Sequence, residues 1–111
     1  SLPLEQGLAA PAGAALALVK DAPEAGELAT LRAAAEAHPE DMAARLAFAE
    51  AAFAAGERDD AANELLAMIA ADRAWNEGAA KAKLLQIFEA VGLEEPWVAA
   101  RRRRLSAILF G

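Results

Sequence analysis

The sequence predicts an all-α chain, built as an array of antiparallel helical hairpins with about six helices. Three observations predict it. Alanine supplies roughly a third of the 111 residues, and alanine is the strongest helix former. Large apolar residues recur at helical intervals, and no segment alternates with a period of two. Helix stops and starts follow one another across links of two to six residues, short enough to fold neighbouring helices antiparallel.

Residues 1–12, with Pro3, Gly7 and Pro11, read as a loose lead-in, and 13–111 as the helical domain. The first expected helix, Gly13 to Lys20, ends at Asp21-Ala22-Pro23, because proline lacks an amide hydrogen and restrains the residue before it. A second, from Glu24 to Ala37, carries Leu28, Leu31 and Ala35 on one face and stops at His38-Pro39. Asp41 is a good N-cap for a third helix to Ala55, with Met42, Leu46, Ala49 and Phe53 at helical spacing and Gly56 as its stop. Asp59 or Asp60 is expected to cap a fourth, striped by Ala62, Leu65, Leu66 and Ile69 up to Ala71. Asn76 is expected to cap a fifth, with Ala80, Leu84, Ile87, Phe88 and Val91 before Gly92. Pro96 sits where a first helical turn tolerates it and opens a sixth helix to Phe110.

Composition excludes several functions. With no Cys, the chain has no thiol for a disulfide, a redox pair or a thiolate metal site. This favours a cytoplasmic setting. A net charge of −6 disfavours nucleic acid, whose phosphates need a positive field. No apolar run approaches the roughly 20 residues of a bilayer span, and the stretch Ala14 to Val19 has no basic segment before it, so neither membrane nor signal peptide is expected. The sequence opens on Ser1 without Met and reads as a piece whose remainder lies upstream.

A longer period runs beneath the helices. With Gly56 as a turn glycine, Met42 to Trp75 has the 34-residue length of a tetratricopeptide unit, with small Ala49 and Ala61 where its two helices must approach and Leu65 in a large slot. Pro39 stands 34 residues before Arg73, which makes the helix from Glu24 the second half of a preceding unit. Gly92 follows Gly56 by 36 residues, so the last pair is longer, as suits a terminal cap.

More specific are Glu64-Leu65-Leu66, Asp72-Arg73-Ala74-Trp75-Asn76, the run Lys83 to Gly92 and the ending Arg102 to Phe110. In order and spacing they resemble the C-terminal tetratricopeptide-like domain of bacterial thioredoxin-like co-chaperones, the chaperedoxin type, over about Glu27 to Phe110. That resemblance implies a non-catalytic half that contacts unfolded clients and chaperone machinery within a holdase. It implies no thiol chemistry here, since the chain has neither a thioredoxin-like domain nor a Cys.

The residues themselves offer no catalytic or metal site and no cofactor. His38 is a single histidine at a helix end, where the dipole favours it. Asp59-Asp60 and Glu94-Glu95 stand at helix starts and read as caps. Trp75 and Trp97 stand at helix starts as rings that seal the seams between hairpins, and Asp72-Arg73 is expected to fix the inter-repeat turn.

Stacked hairpins line a groove with their first helices. Leu46, Glu50 and Phe53 of one should therefore meet Ala80, Leu84 and Ile87 of the next, and Leu46, Glu50, Phe53, Leu84 and Ile87 are candidate partner-binding residues. Leu46 and Glu50 stand where a carboxylate clamp needs Lys and Asn, so an apolar client segment fits better. On the last helix Leu105, Ile108 and Leu109 form the capping stripe, while Phe110 points away. Phe110 with Arg101 and Arg104 completes the candidate set, as a contact for a chaperone partner. The same hairpins would also serve a scaffold or a homo-oligomer unrelated to chaperoning, whereas acid–base hydrolysis lacks an enclosing cleft.

Overall fold

The computed structural model describes residues 23–111; the expected lead-in and the helix from Gly13 lie outside them. Five α-helices and one short turn of 3-10 helix follow in order, with no strand among the described residues. They are α1 (Ala25–Ala37), α2 (Met42–Ala54), α3 (Arg58–Ala71), the turn Trp75–Gly78, α4 (Ala79–Val91) and α5 (Pro96–Phe110).

Local chemistry sets most ends. The carboxylate of Asp41 accepts from the Ala44 amide at 3.1 Å, as an N-cap should. At the other end of α2, Gly56 takes φ +89° and the Glu57 amide reaches back to the Ala52 carbonyl at 2.8 Å. A side chain at that φ would crowd the backbone, so glycine is the residue that lets the chain turn there. Gly92 ends α4 at φ +123°. Pro96 opens α5, where its missing amide costs nothing.

Three expected caps are corrected. Asn76 does not cap a helix: Asn76, Glu77 and Gly78 run through three successive left-handed conformations (φ +50°, +59° and +81°), and α4 starts only at Ala79. Asparagine favours both the cap and the left-handed region, so its presence alone cannot separate them. Neither Asp59 nor Asp60 caps α3, whose N-cap position belongs to Glu57; both lie in its first turn and reach other helices. Glu95 occupies the N-cap position of α5 but makes no side-chain capping bond.

The core is one continuous cluster. Its middle is a seam of alanines, Ala49, Ala52, Ala61 and Ala62, all wholly buried, so that α2 and α3 approach closely. Leu65, Leu66, Met68 and Ile69 on α3 and Leu84, Ile87 and Phe88 on α4 carry the bulk. Buried apolar area at about 25 cal/mol per Å² is the main stabilising term in such a fold. The backbone of α5 approaches that of α3 closely, and aromatic rings fill the space between α5 and α4.

Candidate functional site

The groove predicted between the first helices of successive hairpins has a different lining from the expected one. Leu46 and Phe53 on α2 are half-buried against the core, and Glu50 is exposed. Half-buried Lys83 of α4 reaches exposed Glu50 at 3.4 Å, a surface pair that marks where the two helices face one another. Leu84 and Ile87 are corrected: at 0% and 1% exposure they belong to the core and leave a partner no surface. Helical spacing identified their face, but a face can turn to a neighbour as well as to a groove.

The last helix is tied down by one aromatic cluster. Trp97 meets the edge of Phe88, ring centres 6.5 Å apart and planes at 81°, and so closes the α4–α5 seam. Its indole N–H donates to Asp59 of α3, and the guanidinium groups of Arg58 and Arg101 lie over its ring at 4.8 and 4.5 Å. Arg101 also donates to Asp59 at 3.2 Å. This candidate is thus engaged inside the molecule, while Arg102, Arg103 and Arg104 are exposed. Leu105 is buried, Ile108 and Leu109 half-buried, and Phe110 is 83% exposed, so the inner stripe and the outward ring both stand as expected.

Polar groups elsewhere knit helices together. Arg32 of α1 donates to Glu57 and Asp60, each at 3.0 Å, and lies 4.8 Å over the Phe48 ring. Chiefly through the hydrogen bond to Asp60, its pKa is raised further above the ordinary arginine value, so it is charged at any working pH. Arg45 donates to Glu64 and to the Pro39 carbonyl. Arg73, expected at the inter-repeat turn, donates to the Leu109 carbonyl at 3.0 Å, across from the last turn of α5, and Asp72 accepts from the Ala74 amide. His38 caps the end of α1 in solvent, 3.6 Å from Glu40. No three His, Cys, Asp or Glu among the described residues are placed to hold a metal, and no described helix is long and apolar enough to cross a membrane.

Residues 21–110 match the family model described as tetratricopeptide repeat. The chain belongs to the tetratricopeptide repeat family. No curated protein and no solved structure matches it. For a tetratricopeptide chain the arrangement is coherent: Ala49 and Ala61, the expected small positions, are both wholly buried where the two helices of the unit meet, and Leu65 fills the large slot beside them. Tetratricopeptide arrays in general bind proteins through extended surfaces of stacked helices. Sequence reasoning missed the Asp59–Trp97–Arg101 cluster, whose members lie up to 42 residues apart. The placing of Trp97 four residues before the arginine run from Arg101 was its only trace.

Proposed function

We propose that this chain is a protein-interaction module, the tetratricopeptide half of a cytoplasmic thioredoxin-like co-chaperone that holds unfolding clients. Membership of a protein-binding repeat family carries the interaction reading. The resemblance of Glu64 to Asn76, Lys83 to Gly92 and Arg102 to Phe110 to such co-chaperones supports the rest. On this reading the half-exposed Leu46 and Phe53 with Glu50 offer clients an apolar strip, and Phe110 with Arg104 contacts the chaperone machinery. The helical domain then runs from residue 13 to 111.

The test is light scattering from a heat-denatured reporter enzyme with increasing amounts of the chain. Suppression that weakens several-fold in Phe53→Ser is expected. Aggregation undiminished at large molar excess would sink the holdase reading. A second reading, self-association, is favoured by Leu93 and Phe110, exposed on the last hairpin. Sedimentation of the chain over a wide concentration range decides it.

A further inference from the structure

Among the pockets with basic side chains, two between packed helices differ in what those side chains are doing. The one of about 310 Å³ between α1, α2 and α3 contains Arg32 and Arg45, and both already bind carboxylates. A larger one, about 560 Å³, opens between the left-handed turn, α4 and the end of α5, lined by Arg73, Glu77, Lys81, Ala82, Leu85 and Leu109 among others. Here neither Arg73 nor Lys81 is paired with a carboxylate among the described residues. Arg73 gives one amino group to the Leu109 carbonyl, which fixes the guanidinium and leaves its other donors open. Lys81 and Leu85 stand one helical turn apart, and Leu85 is 42% exposed. The volume falls within the range of binding pockets, and its wall includes Glu77, a non-glycine residue held at φ +59°. Backbone strain of that kind gathers where a surface is shaped for contact.

Charge separates along the chain in the same sense. Residues 73–111 carry seven basic and four acidic side chains, and residues 23–72 carry three basic and eleven acidic ones. The pocket is therefore part of a basic region in an acidic protein. We propose that it docks an acidic segment of a partner protein, with one bulky apolar side chain seated on Ala82, Leu85 and Leu109 and flanking carboxylates on Arg73 and Lys81. A second copy fits poorly: in its acidic part, α1 to α3, the large apolar side chains are at most half exposed, and the exposed ones among the described residues, Leu85, Leu93 and Phe110, all lie beyond it. The proposal rests on the protein-binding reading above and not on the co-chaperone role.

The experiment is selection of a random peptide library displayed on phage against the intact chain, with binding of the enriched peptides measured by fluorescence anisotropy. Enrichment of peptides joining Leu or Phe to two or more Asp or Glu is expected. Lys81→Glu and Leu85→Asp should each weaken an enriched peptide by about tenfold or more. Both side chains are exposed, so the melting temperature should stay unchanged. The proposal is overturned by no enrichment, by enriched peptides without carboxylates, or by affinities that neither substitution changes. Leu85-dependent pelleting with phosphatidylserine vesicles, or a Leu85-dependent dimer in sedimentation, without peptide binding, would overturn it in favour of those occupants. Peptide binding lost in Lys81→Glu while aggregation suppression persists would separate this site from the client surface.

Discussion

The α2–α3 hairpin closes on alanine, and the α4–α5 hairpin closes on aromatic rings. In the first, four methyl groups let the two backbones meet, and the polar groups that staple it, Arg32 with Asp60 and Arg45 with Glu64, sit at its edges. In the second, Phe88 and Trp97 hold the helices apart, and α5 draws its support from α3 through Asp59. The same repeat length thus accommodates two seams. What differs is whether the helix at the end of the array is held by its own hairpin partner or by the helix before it.

Leu84→Asp should have the largest effect. It places an unpaired carboxylate in the core, at a cost on the order of 4 kcal/mol or more, enough to unfold a domain of ordinary stability. Because α3 packs against both sides, one lowered transition by circular dichroism is expected; two separate transitions would mean that the hairpins are independent. Trp97→Ala comes next, at about 2–3 kcal/mol, less than for a wholly buried ring. It should loosen α5 and leave α1–α2 amide exchange unchanged, and uniform loss of protection would break the contrast between the seams. Ala61→Leu attacks the other seam by overpacking, at about 1–3 kcal/mol. A chemical-denaturation midpoint equal to the original would show that α2 and α3 are less closely apposed than their alanines require. Glu77→Asn is expected to stabilise, by about 0.5–1 kcal/mol, since asparagine tolerates the left-handed region better than glutamate. A lowered melting temperature would show that Glu77 has a compensating role.

These seams explain what was legible in advance. The alanine seam announces itself, because small residues at fixed spacing within a repeat have few other reasons to be there, and Asp41 and Gly56 mark ends by chemistry that acts within four residues. The aromatic seam was half legible: Trp97 was expected to seal a junction, but its partners on α3 were not visible. Asp59 and Asp60 illustrate the difficulty. A carboxylate at a helix start reads as a cap unless a distant arginine or indole competes for it, and that competition is decided by tertiary packing. Leu84 and Ile87 fail for a related reason, since periodicity gives the direction of a side chain and not the identity of what it meets. Leu85, one position from each face, received no role from the sequence, and yet it lines the larger pocket.

The clamp on Trp97 also determines what light can report about this molecule. The chain has two tryptophans and no tyrosine, and both tryptophans lie after α3. Trp97 is flanked by two guanidinium groups and tied to a carboxylate, so its emission should change sharply when α5 leaves α3. No tryptophan lies on α1 or α2. Intrinsic fluorescence therefore follows the release of the final hairpin, whereas far-ultraviolet dichroism follows every helix of the chain, the five described ones included. In a linear array the ends can fray before the middle, and any gap between the two curves measures how far the last helix departs ahead of the rest.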